Sequence, residues 1–93
     1  MKVSNLINAN GNANANQFII EDDNGNTFFQ SYESTVCKID RNNKVTLGED
    51  WNYSTTTSKH LYEFLRQNGH YSLANRKAIL KAIKSGELEV LDL

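Results

Sequence analysis

The chain contains no proline, a single cysteine and no long apolar run, and each of these absences narrows what it can be. Cys37 has no second cysteine with which to form an internal disulfide, so we expect a reduced protein. No apolar segment approaches the ~20 residues of a membrane-spanning helix, and no apolar signal core lies near the N-terminus. The prediction is a cytoplasmic protein that has no membrane partner.

The chain also lacks an excess of one charge, because its 93 residues include ten basic and eleven acidic side chains. This balance excludes a field over the whole protein that would draw it onto DNA or anionic lipid. The charges are unevenly spread, since residues 1–53 hold four basic and seven acidic side chains whereas residues 54–93 hold six and four. Nucleic-acid binding would therefore require a local basic surface.

The first half of the chain has the pattern of a β-sheet. Alternating and β-branched residues over 17–47 predict an antiparallel meander of about four strands, with a type I′ hairpin turn at Asn24-Gly25. Residues 1–16 form an N-terminal segment, in which Met1–Ala9 is too short to distinguish a strand from a helical turn. The asparagine-rich part, residues 10–16, has too little apolar surface to offset its ordering entropy, so we expect a loop or mobile arm there.

The second half has helical periodicity over residues 58–84. It predicts one helix at Ser58–Asn68 and another at Leu73–Lys84, followed by a strand or extended tail at 87–93. The whole is predicted to be a single α+β domain, residues 1–93, with both helices packed on one face of the meander. The expected helix caps are Thr56, Thr57 or Ser58 for the first helix and Ser72 for the second.

Residues with catalytic or metal-binding potential are few and isolated. Cys37 has no neighbouring histidine or helix N-terminus to activate it, which favours a small buried hydrophobe. His60 and His70 lack a second ligand at metal-site spacing. The sequence therefore predicts no cofactor, no metal site and no enzyme, and catalysis stays open only if Cys37, His60 and a carboxylate converge in the fold.

Two features favour binding instead. In the second helix Lys77, Lys81 and Lys84 share one face and Arg76 is adjacent, a pattern suited to phosphates or an acidic surface, although a solvated helix face is commoner. In the sheet-to-helix connection, Trp51 and Tyr53 form an aromatic anchor if they are exposed and simply cap the core if they are buried.

Three segments, FQSYESTVCKID, NKVTLGEDWNYSTTTSKHLYEFL and KAIKSGELEVLDL, occur in an order that resembles a known family. The family consists of small uncharacterised proteins carried by phages, plasmids and integrative elements of bacteria. In it a FQSY-S-[IV]-x-K-I-D segment precedes W-x-Y-S-x-T-T-x-K and a final I-x-x-G. The chain departs from this pattern in the asparagine-rich segment and in the spacer His70 to Asn75.

The resemblance implies a non-enzymatic accessory protein of a mobile element and carries over no catalytic residue. It implies binding and inhibition of a host protein machine, above all a nucleic-acid-processing defence effector, as anti-CRISPR proteins do. The alternative is a small nucleic-acid-binding module that uses the basic face of the second helix. The protein-binding candidates are the Trp51/Tyr53 turn and the acidic residues of the sheet half, which can face a basic channel: Glu21, Asp22, Asp23, Glu49 and Asp50.

Overall fold

The computed structural model describes residues 1–93 and contains a mixed six-stranded sheet with two α-helices. The strands are β1 (Lys2–Ile7), β2 (Ala13–Glu21), β3 (Thr27–Ser31), β4 (Ser34–Ile39), β5 (Val45–Gly48) and β6 (Glu89–Leu91), and the helices are α1 (Thr55–Gln67) and α2 (Arg76–Ser85). The six strands lie side by side in chain order, with β1 to β5 antiparallel and β6 parallel to β5. The core joins the sheet to both helices: Phe64 of α1 stacks on Phe29 of β3 at 5.6 Å, and Ile79 of α2 is fully buried.

The predicted α+β class is confirmed, but the sheet has more strands than expected. The pattern of residues 1–9 left a strand and a helical turn open, and the structure has a strand there, β1. The loop predicted for residues 10–16 is wrong from Ala13 onward, where β2 begins, because that prediction rests on apolar burial alone. The asparagines form hydrogen bonds to the backbone instead. Asn8 Oδ1 accepts from the N–H groups of Asn10 and Asn12 at 2.9 and 3.0 Å, and Asn14 Nδ2 donates to the Leu6 carbonyl at 3.0 Å.

The predicted strands after residue 17 form, with two local differences. The β2–β3 hairpin closes through a longer loop in which Gly25 has a φ of +84° and Asn24 does not adopt a positive φ, so the type I′ turn is wrong. Between β3 and β4 the register shifts after Phe29. Strict alternation would put Val36 and Cys37 on opposite faces, whereas this bulge lets both lie in the core.

The helices begin at residues other than those predicted. Helix α1 is capped by Ser54, whose hydroxyl accepts from the Thr57 N–H at 3.1 Å. Helix α2 is capped by Asn75, whose side-chain oxygen accepts from the Ala78 N–H at 2.8 Å. The predicted cap, Ser72, lies instead in a short 3-10 turn, Tyr71–Leu73. The last segment is a strand rather than a tail, since β6 pairs with β5. Neither helix combines the length and apolar character that crossing a membrane would require.

Candidate binding surfaces

The connection between β5 and α1 positions the candidate surfaces. It starts at Gly48, where a Cβ would collide with the Thr35 carbonyl oxygen, so β4 and β5 approach too closely there for any side chain. Two successive turns follow, in which the N–H of Trp51 donates to Gly48 O at 3.2 Å and the N–H of Tyr53 donates to Asp50 O at 3.1 Å. Trp51 is only 5% exposed and caps the core, whereas Tyr53 is 81% exposed. Of the two predicted aromatic residues, only Tyr53 is available to a partner.

A cleft of about 640 Å³, the tyrosine cleft, opens between the β3–β4 turn and the beginning of α1. Tyr32 and Tyr53 both line it, and Tyr32 is 60% exposed. Its charged lining residues, Glu33 and Asp50, are both acidic. Hydroxyl groups supply much of the remaining lining, from residues of β3, β4 and the first turn of α1: Ser31, Ser34, Ser54, Thr56 and Thr57.

Tyr32 adopts a backbone conformation that is unfavourable for a bulky residue. It is the first residue of the two-residue β3–β4 turn and has a φ of +55°, where glycine is preferred. Two hydrogen bonds to neighbouring residues hold Tyr32 in this conformation. The Tyr32 N–H donates to Asn16 O at 2.7 Å, and Gln30 Nε2 donates to the Tyr32 carbonyl at 2.7 Å. Such strain costs about 1–2 kcal/mol and is found most often at functional positions.

Carboxylates extend the tyrosine cleft onto the adjoining surface. A hollow of about 260 Å³ beside the cleft is lined by Glu33, Glu49, Asp50 and Asp92, which we call the acidic surface. The three ion pairs of the chain lie elsewhere, so these four carboxylates are free to bind an external cation. Glu33 and Asp92 were not predicted. The meander topology could have found Glu33, because the β3–β4 turn and the end of β5 lie at the same end of an antiparallel sheet.

The other acidic residues predicted for the same site lie at the opposite end of the sheet. Glu21, Asp22 and Asp23 adjoin the β2–β3 loop, so the five predicted carboxylates do not form one cluster. Asp22 stabilises the loop, because its carboxylate accepts from the Asn26 side chain and from the N–H groups of Asn26 and Asn24, each at 2.9 Å. These bonds lower the pKa of Asp22, with the Asn26 side chain contributing most. Asp23 pairs with the amino group at the start of the chain at 2.8 Å.

A second recess, the basic groove, lies on the other side of Tyr53. It has a volume of about 690 Å³, and its charged lining residues are Lys59, Arg66 and Arg76, all cations. Tyr53 and Tyr62 line it together with hydroxyl and amide side chains. Lys59 and Arg66 were not predicted. Their spacing of seven residues, with Tyr62 between them, places all three on one face of α1 and could have revealed the surface.

The basic residues predicted on the second helix are divided by the structure. Lys77, Lys81 and Lys84 are exposed on α2, as the helical spacing predicts, but they do not line the basic groove. Arg76, at the start of α2, lines that groove instead.

The reactive side chains of the sequence lie apart from these surfaces. Cys37 is fully buried, and burial raises the pKa of its thiol to about 12, so the thiol stays protonated at neutral pH. His60 Nδ1 lies 2.9 Å from the Thr56 carbonyl oxygen, and His70 Nε2 lies 3.0 Å from Asn43 Oδ1. No group of three or more His, Cys, Asp or Glu residues is arranged to hold a metal ion.

These features define a small α+β protein with surfaces of opposite charge on the two sides of one exposed tyrosine. Residues 1–82, which extend from β1 into α2, match the family of unknown function DUF8033, and the chain belongs to that family. No curated protein and no solved structure matches the chain.

Proposed function

We propose that the chain is a non-enzymatic binding protein that docks its acidic surface and tyrosine cleft onto a basic surface of a host protein. One observation carries the proposal: Tyr32 and Tyr53 are exposed on a cleft whose charged residues are all acidic. Tyrosines in such positions are typical anchors of protein interfaces, because they bury a large area at little cost in side-chain entropy. The unpaired carboxylates supply charge complementarity and speed encounter with a basic partner.

The strain at Tyr32 supports the same surface. A glycine would relieve the backbone strain at this turn, yet the chain places a large aromatic side chain there, exposed beside the cleft. A side chain that costs folding free energy without filling the core supports the proposal of a contact made outside the chain.

The partner we propose is a nucleic-acid-processing defence effector of a bacterial host, in line with the phage and mobile-element resemblance of the sequence. Channels that bind nucleic acid are lined with lysine and arginine, and the four carboxylates of the acidic surface can occupy such a channel in place of phosphates. The action would be inhibition by occlusion, of the anti-CRISPR type, with no chemical step on the chain itself.

The test is affinity capture from a nuclease-treated lysate of bacterial host cells. Tagged wild-type chain is compared with Glu33→Gln/Asp50→Asn, which neutralises the cleft, and with Glu21→Gln/Asp23→Asn, which removes the same charge at the opposite end of the sheet. We expect the wild type and Glu21→Gln/Asp23→Asn to capture the same protein. That protein should bind Glu33→Gln/Asp50→Asn about tenfold more weakly. The purified partner is then titrated with each variant, and its nucleic-acid-processing activity is assayed.

Equal capture by the two double variants would show that the acidic surface is not the docking site. Proteins captured from an untreated lysate but not from the nuclease-treated one would show that the chain reaches them through nucleic acid. Binding without any loss of the partner's activity would contradict inhibition and leave only the docking.

A further inference from the structure

The two layers of the molecule carry opposite charge. The helical layer, residues 54–86, holds six basic side chains and one acidic side chain, a net charge of +5 in a chain whose total is −1. All six cations are exposed. A surface of this kind attracts polyanions even though the whole chain is nearly neutral.

The basic groove gives this charge a shaped site. It runs along α1 from Thr55 to Arg66 and reaches Arg76 at the start of α2, and every charged residue of its lining is a cation. Lys59 and Arg76 belong to none of the three ion pairs of the chain, so both are free to bind a phosphate. Arg66 is paired with Glu63 at 3.0 Å and is therefore partly neutralised.

The rest of the lining suits a nucleic acid. Tyr53 and the half-buried Tyr62 provide aromatic rings, and Ser54, Thr55 and Ser58 provide hydroxyl groups. The Ser54 and Ser58 hydroxyls already donate to Thr57 Oγ1 and to the Trp51 carbonyl, so Thr55 is the donor available to a phosphate. Cations together with hydroxyl donors bind phosphates, and tyrosine rings stack on bases whose faces are uncovered. In a duplex those faces are covered by neighbouring base pairs, so aromatic residues in a basic groove favour a single strand.

We propose that the basic groove binds single-stranded nucleic acid, with Lys59 and Arg76 on phosphates and Tyr53 and Tyr62 against bases. This site is distinct from the lysine stripe of α2, which is exposed but lies outside the groove and contributes only general attraction. It shares Tyr53 and Ser54 with the tyrosine cleft but no charged residue with the cleft or the acidic surface, so charge substitutions can test each site separately.

The test is a fluorescence anisotropy titration of labelled oligothymidylate and oligouridylate, each of about 12 nucleotides, with the full chain at several salt concentrations. The variant Lys59→Gln/Arg76→Gln should bind about tenfold more weakly. Each phosphate contact to a single strand contributes about 0.7 to the slope of log K against log salt, so the slope should fall in magnitude by about 1.4.

The matched control is Lys77→Gln/Lys81→Gln, which removes the same charge from the same helical layer outside the groove. It should leave the salt slope close to that of the wild type, and Glu33→Gln/Asp50→Asn should not weaken binding. Unfolding curves establish that each variant is folded, which we expect because all the altered side chains are exposed.

If Lys59→Gln/Arg76→Gln and Lys77→Gln/Lys81→Gln lose the same oligonucleotide affinity, the proposed groove is wrong and the binding is diffuse attraction to the helical layer. A duplex of the same length that competes as well as the single strand would overturn the proposed stacking on bases. Competition by polyglutamate at equal charge would assign the groove to an acidic protein instead, and the absence of oligonucleotide binding at low salt would overturn the proposal altogether.

Discussion

The acidic surface and the basic groove lie on opposite sides of Tyr53, and they are built in different ways. The acidic surface comes from strand ends, where the β3–β4 turn and the ends of β5 and β6 meet. The basic groove comes from helix faces, where α1 and the start of α2 present their cations. One surface depends on sheet register and the other on helical period, so most substitutions should affect one surface and leave the other intact.

The two surfaces nevertheless depend on one connection. Tyr53 and Ser54 line both the tyrosine cleft, which adjoins the acidic surface, and the basic groove, and both residues belong to the connection that leaves β5 at Gly48. A change in this connection should therefore weaken binding at both surfaces. A change at a residue that lines only one recess should weaken binding at that surface alone.

The largest effect is expected from Gly48→Ala. The new Cβ would collide with the Thr35 carbonyl oxygen in the neighbouring strand, and backbone in a paired strand cannot move away cheaply. We expect a loss of about 3 kcal/mol in the free energy of unfolding, which lowers the Tm by roughly 15 °C. Chemical denaturation and calorimetry measure the loss, and titrations at low temperature should show weaker binding at both surfaces.

Gly11→Ala is the control for this substitution. Gly11 has a φ of +81° and nothing within 4 Å of an added Cβ, so alanine there introduces only the backbone strain of about 1 kcal/mol. If Gly48→Ala costs no more than Gly11→Ala, the close approach of β4 and β5 is not what requires the glycine.

A smaller effect of opposite sign is expected from Tyr32→Gly. Glycine relieves the positive φ of the turn, and after its own backbone entropy cost the net gain should be about 0.5–1 kcal/mol. The variant should be more stable than the wild type, bind the protein partner of the acidic surface less tightly and bind oligonucleotides unchanged. Thermal unfolding and the two titrations measure these three results.

Tyr53→Gly is the matched control for Tyr32→Gly, because it makes the same substitution at a tyrosine without a positive φ. Glycine there relieves no strain and should lower stability by about 0.5–1 kcal/mol. A loss of stability in both variants would contradict the account of Tyr32 as a strained residue retained for binding.

The part of the fold that could be predicted is the part that leaves a local pattern in the sequence. Strands β3 to β5 and the two helices follow from alternation and helical period, and the observed elements are close to those expected. The β1–β2 hairpin could not be predicted in this way, because asparagines such as Asn8 and Asn14 hold it by hydrogen bonds to the backbone. Those contacts leave no hydrophobic period in the sequence.

The candidate sites show the same limit. Tyr53, Glu49 and Asp50 could be named from the connection alone, because they are neighbours in the chain. Glu33 and Asp92 join them only through strand order and the parallel pairing of β6, and Arg76 meets the α1 cations only through helix packing. Long-range geometry of that kind is absent from any short window of sequence.

The smallest effect concerns carboxylates that serve the fold rather than a partner. Hydrogen bonds from Asn26 and Asn24 hold the folded pKa of Asp22 below its ordinary value of 3.8, so its contribution to stability is present above that pH and is lost as the pH falls through the folded pKa. The variant Asp22→Asn keeps an acceptor oxygen but does not titrate. Its Tm should therefore decline less steeply than that of the wild type between about pH 5 and pH 2, with binding at both surfaces unchanged.

Asp40→Asn should act in the same direction, because the Lys44 N–H, and to a lesser extent the Asn42 N–H, lower the pKa of Asp40 in the β4–β5 turn. Tm curves that run parallel in the wild type and in both variants would show that neither turn carboxylate is linked to folding.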